Sequence, residues 1–264
     1  MVRLCDEDSI RQDFLACISN TAMGCRMETD LRAYGDIDPQ TNAWTVYSEN
    51  QAACGGILFS AGSLFVCLNR VEGVFDCAQF LHFLFSGSRV HCDGKTAEWL
   101  APYGYAEAES GDILLLDKPP EIPAARQGYQ KPEEIRLSEL YELLCACFDS
   151  FREQQEKGAF VSDVYLKRKQ GASILGLCQQ GKLCATAGIY AAGETSALLS
   201  AVATLPEHRG RGLAGYLVKK ICREQVLQGK RVFVMTDHEI LTRFYQELGF
   251  IKCGRWAVLE ETNE

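Results

Sequence analysis

A chain of 264 residues with 47% apolar content is long enough for one large domain or two small ones. Its net charge of −8 argues against a nucleic-acid surface, which needs a basic stripe. No apolar run reaches the roughly eighteen residues of a membrane span, and the first residues turn acidic at Asp6-Glu7-Asp8, where a leader peptide is apolar. The expectation is a cytoplasmic protein with no membrane partner.

Thirteen cysteines are an odd number, and most lie inside apolar patterns such as Phe65-Val66-Cys67-Leu68, so reduced, buried thiols fit better than a disulfide framework. No Cys-x-x-Cys pair occurs, Cys145 and Cys147 stand alone on an expected helix, and the four histidines are dispersed, so no metal is expected.

In chain order, residues 6–18 read as a helix, 43–48, 54–59 and 63–68 as strands, 77–85 as a helix, 89–92 as a strand, 95–100 as a helix and 105–116 as a closing strand. Three prolines within 118–123 then break both periodicities, and 118–131 reads as a linker. Beyond it, 132–148 and 162–169 read as helices. Residues 173–178 and 183–192 form a hairpin, and 197–205 form a buried strand that Pro206 stops. From Leu213 the apolar residues Tyr216, Leu217 and Ile221 recur at helical spacing; 231–236 reads as a strand, 238–248 as a helix closed by Gly249, and Phe250 onward as a last strand pair.

The most informative stretch is Arg209-Gly210-Arg211-Gly212-Leu213-Ala214, between the strand ending at 205 and the helix from 213. Amides at a helix entrance lack intrahelical partners and meet the positive end of the dipole. Glycines let the backbone approach an anion, and the two arginines add charge-assisted donors. The spacing is not that of a nucleotide P-loop, and one glycine of the dinucleotide fingerprint is missing.

This hexapeptide resembles the Gln/Arg-x-x-Gly-x-Gly/Ala signature of the GNAT superfamily of acyl-CoA-dependent N-acyltransferases. Phe244-Tyr245-Gln246-Glu247-Leu248-Gly249-Phe250 is similar to that family's second signature. The resemblance covers the half from the linker onward and implies acetyl-CoA as acyl donor. Arg209, Gly210, Arg211, Gly212, Leu213 and Ala214 would grip its diphosphate, and main-chain groups of Val202 and Thr204 would hold its pantetheine arm. It also implies transfer to the amine of a small molecule or peptide.

Tyr245 is the expected proton donor to the departing thiolate, since a phenol of pKa about 10 suits a thiolate of similar basicity. Many relatives carry a glutamate on the strand before the loop, and 197–205 has no acid. Glu194, Glu207, Asp237 and His238 all stay open as the base. The rival reading is a non-catalytic module that binds acyl-CoA or a protein.

The element order before the linker repeats the order after it. Laying Trp99–Tyr105 over Phe244–Phe250 superposes Gly104 on Gly249 and puts Leu100 in the place of Tyr245. Where the loop belongs stands Asn69-Arg70-Val71-Glu72-Gly73-Val74-Phe75-Asp76, with one glycine and two acids. The expected fold is therefore α+β, two GNAT-like domains, each a mixed, mostly antiparallel sheet flanked by helices. Residues 1–117 would be a degenerate copy without the cofactor loop, 118–131 a linker, and 132–264 the domain that binds acyl-CoA. The alternative for the first half is an unrelated α+β domain or an enlarged substrate lid.

Overall fold

Apolar alternation in the first half resolves, in the computed structural model, into strands β1 (Val2–Leu4), β2 (Asn42–Tyr47), β3 (Ala53–Ser60), β4 (Ser63–Leu68), β5 (Val90–Asp93) and β6 (Tyr105–Leu116). The structure describes residues 1–262. Helices α1 (Asp8–Ile18), α2 (Ala22–Tyr34), α3 (Val74–Phe85) and α4 (Gly94–Leu100) lie between them. The second half supplies α5 (Leu137–Cys147), α6 (Phe151–Gln154), α7 (Lys157–Lys169), β7 (Ser173–Gln179), β8 (Lys182–Ala192), β9 (Ser196–Thr204), α8 (Leu213–Leu227), β10 (Arg231–Thr236), α9 (Glu239–Glu247) and β11 (Ile251–Glu261).

These elements fall into two compact units that do not follow the midpoint of the chain. Residues 1–114, 235–244 and 251–262 form the first; residues 115–234 and 245–250 form the second. Within the first unit the strand order is β1-β2-β3-β4-β5-β11-β6. Pairing is antiparallel through β1 to β4, parallel between β4 and β5, and antiparallel between β5 and β11. Within the second the order is β10-β9-β8-β7, with β9 and β10 parallel and the rest antiparallel. Each unit is thus a mixed, mostly antiparallel sheet with helices packed on it.

The end of the chain differs from expectation. Residues 251–261 form one strand, not a pair, and that strand belongs to the first unit, where Ala257 pairs with Cys92 and Leu259 with Val90. Ala257 and Leu259 are both 1% exposed and fill a core with Ile57, Val66, Leu81 and Leu100. Alternation marks which residues face a core, not whose core it is.

Helix α2 was not foreseen, because Arg26, Glu28, Asp30 and Arg32 interrupt any simple apolar stripe. It starts at Thr21, whose hydroxyl caps the Gly24 amide at 2.9 Å, and buries Met23 and Met27. Helix α5 begins five residues later than Pro132 suggests. Gln130 is held as a β-bridge on Cys178, and Ile135 enters the core formed by α5 and α7 before helical geometry begins.

Candidate functional site

Strand β9 leaves its parallel neighbour partway along. Its ladder to β10 spans Ser196–Arg231 to Leu199–Val234, while its antiparallel ladder to β8 runs on to Thr204 opposite Ala185. The Leu205 amide donates to the Cys184 carbonyl at 2.9 Å, so alternation turns the main chain of Thr204, and of Val202 before it, to the edge away from β8. That is the edge the pantetheine expectation needs. Here the Thr204 carbonyl accepts from Arg209 Nε at 3.1 Å, and its Oγ1 is buried without a partner.

Two bulges mark the same strands. Between the pairs Thr186–Ala203 and Gly188–Ser200, β9 carries one extra residue, and Ala201 adopts a left-handed φ of 48°. Between Ile189–Leu199 and Ala191–Leu198 the extra residue is Tyr190, on β8. A non-glycine residue held left-handed inside a strand stores strain, and such residues cluster at functional sites. The hydroxyls of Tyr190 and Ser200 are buried with no hydrogen-bond partner. Gly188, which bounds the first bulge, is the signal the sequence offers for it, since an isolated glycine within a strand pattern marks a bulge or a close approach.

The loop after β9 begins with a single 3-10 turn, Pro206–His208. Gly210 and Gly212 are both left-handed, at φ 74° and 70°, and Gly212 opens α8 with no side-chain cap, leaving the amides of its first turn to another acceptor. A Cβ at Gly210 would meet nothing within 4 Å, so the backbone there is open on one side.

Arg211 donates to the Tyr129 hydroxyl at 2.8 Å and to the Glu207 carbonyl at 3.1 Å, and Tyr129 is also 2.9 Å from His208 Nδ1. A third guanidinium, missed in the sequence, is Arg126: its Nη2 lies 2.8 Å from where a Gly212 Cβ would stand, and its buried Nε has no partner. Among the described residues none of these three arginines is in an ion pair. Arg209 is turned to the Thr204 carbonyl; Arg126 and Arg211, beside the positive end of the helix, repel one another unless an anion sits between them.

Arg126 and Tyr129 come from the stretch expected to be a linker. Residues 118–131 group with the second unit and touch it at three places. Arg223 holds the Pro120 carbonyl at 3.1 Å, a turn runs from Arg126 to Tyr129, and Gln130 exchanges two main-chain hydrogen bonds with Cys178, at 2.9 and 2.8 Å. The proline cluster marked a break in periodicity, and a break is equally what a docked irregular segment produces.

Tyr245 lies on α9, 6% exposed, with its ring edge-on to Phe250 at 5.5 Å. Burial, and secondarily the Cys222 thiol, push its phenol well above the usual 10. Glu194, Glu207, Asp237 and His238 are all exposed, so the fold singles out none of them as a base. Among the described residues no group of His, Cys, Asp and Glu could hold a metal ion, and no helix is long and apolar enough to cross a membrane.

The corresponding turn of the first unit is built for packing. Gly73 has a right-handed φ of −91°, and a Cβ there would strike Cys54 Cβ at 2.6 Å and Val46 Cγ1 at 2.9 Å. Its glycine makes room for core side chains, and Asp76 in the first turn of α3 opposes an anion.

Residues 137–250 match the family model described as Acetyltransferase (GNAT) family. No curated protein sequence matches the chain. Among solved structures, a GCN5-related N-acetyltransferase from Sphaerobacter thermophilus is similar with a TM-score of 0.64 at 16% identity, covering 100% of this chain and 97% of that one. A tandem GNAT protein from the clavulanic acid biosynthesis pathway gives 0.64 at 14%, covering 100% and 99%. A Drosophila protein gives 0.69 at 11%, covering 100% and 99%. At such identities the structures speak for the fold, and the full-length coverage by a tandem protein accounts for both units. Residues 137–250 thus belong to the GNAT family, and the fold of the whole chain, two GNAT-like domains, is the one that GNAT structures share.

Proposed function

We propose that this protein is an N-acetyltransferase that takes the acetyl group of acetyl-CoA and passes it to the amine of a small molecule or peptide. The observation that carries this is the uncapped entrance of α8, where left-handed Gly210 and Gly212 stand beside Arg126 and Arg211, neither of them in an ion pair among the described residues, with Arg209 held nearby on the Thr204 carbonyl. A diphosphate fits that set of donors; Gly210 leaves the room that a side chain would fill. Residues 209–214 would hold it.

When bound, acetyl-CoA supplies an acyl group activated as a thioester. Release of Arg209 from the Thr204 carbonyl both frees that carbonyl for a strand-like partner and delivers a guanidinium to the anion. The bulge at Ala201 takes main-chain groups out of the β8 ladder beside the open edge of β9, which suits donors for a developing oxyanion. Tyr245, protonated across the neutral range as any phenol is and more firmly so for its burial, is the donor that gives its proton to the departing thiolate; it does not act as the base. The base is assigned to none of the four exposed candidates.

Residues 1–117 are read as the copy without a cofactor loop and 132–264 as the acyl-CoA-binding half, with the last strand of the latter given to the core of the former. A cytoplasmic setting agrees with thirteen free cysteines, most of them buried.

Incubation with acetyl-CoA and a panel of amines should release free thiol. Tyr245→Phe should lower kcat by about a hundredfold with CoA affinity kept. CoA binding without thiol release from any amine would favour the non-catalytic module, and an unchanged kcat in Tyr245→Phe would remove the tyrosine from the chemistry.

A further inference from the structure

Next to the loop, the second unit contains a cavity of about 230 Å³. Its walls carry Arg126, Tyr129 and Lys131 from the docked segment and Tyr216 and Lys220 from α8, over a floor made by β7. Local structure explains the placement. The turn that Tyr129 N closes on the Arg126 carbonyl at 3.2 Å passes through Gly128 at φ 80°, and the Gln130–Cys178 bridge then pins the next residue against β7. Tyr216 and Lys220 are four apart on one helix face, with the ammonium 5.8 Å from the ring. Three cations line this cavity and no carboxylate does. Glu133 and Glu134 line an adjoining cavity that shares Lys131.

Arg126 links the cavity to the helix entrance, since it lines the one and its guanidinium covers Gly212 at the other. The volume is below the roughly 300 Å³ at which whole-ligand pockets begin, so the cavity suits one end of a longer molecule. Cations call for a phosphate, and two tyrosines offer faces to a planar base. We infer that this cavity is the subsite for the nucleoside 3′-phosphate end of CoA, with Lys131 and Lys220 on the phosphate and Arg126 shared between it and the diphosphate. The inference rests on the reading that residues 209–214 hold that diphosphate.

Calorimetry with CoA and with 3′-dephospho-CoA tests the two separately. Wild-type protein should prefer CoA by about tenfold or more, the scale of one or two charge-assisted contacts. Lys220→Ala and Lys131→Ala, alone and together, should erode that preference while 3′-dephospho-CoA binds as before; both lysines are surface-reaching, and retained binding of the truncated ligand reports a folded site. Equal wild-type affinity for the two ligands, or variants that weaken both in the same proportion, would overturn the subsite and leave the loop standing. Failure of both ligands to bind wild-type protein would overturn the loop reading and the subsite with it.

Discussion

Gly212→Ala couples backbone, side chain and ligand in one substitution. At φ 70° an L-residue costs about 1–2 kcal/mol, and about 0.4–1 kcal/mol returns because alanine restricts the unfolded chain, for a net loss near 1 kcal/mol. Gly210→Ala, at φ 74°, should lose the same amount. The two differ in what the new methyl meets: nothing within 4 Å at 210, but Arg126 Nη2 at 2.8 Å at 212. The guanidinium is the far end of a flexible side chain, so it will move at small cost in stability and lose its place over the helix entrance.

If Arg126 is a phosphate ligand, Gly212→Ala should weaken CoA binding by about tenfold, as should Arg126→Ala, and the double variant should be little worse than either. The assays are urea unfolding for stability and calorimetry for CoA. Losses of affinity that add in full in the double variant would refute the collision argument. Equal stability of Gly212→Ala and wild type would refute the strain argument.

Truncation after Phe250 removes β11, and with it Val258 and Leu259, each worth about 1.5–3 kcal/mol of burial, from the first unit. Trp44 and Trp99 pack on that core, so against a full-length Trp256→Phe reference their emission should shift to the red; an unshifted spectrum would contradict the strand's assignment. Ala201→Gly should be milder than Ala203→Gly by about 1–2 kcal/mol, because only residue 201 is left-handed, and equal losses on urea unfolding would remove the strain from β9.

Burial pushes the thiols of Cys67 and Cys77 from the ordinary 9.0 to about 12, with Asp93 and Asp76 as secondary causes. Their folded values lie above the unfolded ones, so stability is whole below pH 9 and falls as pH rises towards 12. The slope is about 1.4 kcal/mol per pH unit for each thiol. Unfolding midpoints measured from pH 7 to 10.5 in reducing buffer should flatten in a Cys67→Ala, Cys77→Ala double variant. Parallel slopes for the two proteins would show that other groups govern the alkaline loss.

Local chemistry was legible from residue order alone. Pro206 stops a strand, glycines at 210 and 212 take left-handed turns, Gly249 ends α9 at φ 101°, and the apolar periods place α8, β9 and β10 within a residue or two. Each of these depends on contacts between near neighbours in sequence, which the chain carries wherever it folds. The free amides that open α8 were legible for the same reason, and Arg126 beside them was not.

What tertiary structure decided is every feature that joins distant residues. Arg126 reaches Gly212 across 86 positions, Tyr129 meets Arg211 across 82, and β11 completes a sheet whose neighbouring strand, β5, lies some 160 residues earlier. An alternating strand satisfies any sheet with a free edge, and an irregular segment has no period to betray where it docks. The bulges at Ala201 and Tyr190 belong here too, because register is a relation between two strands and neither strand carries it alone.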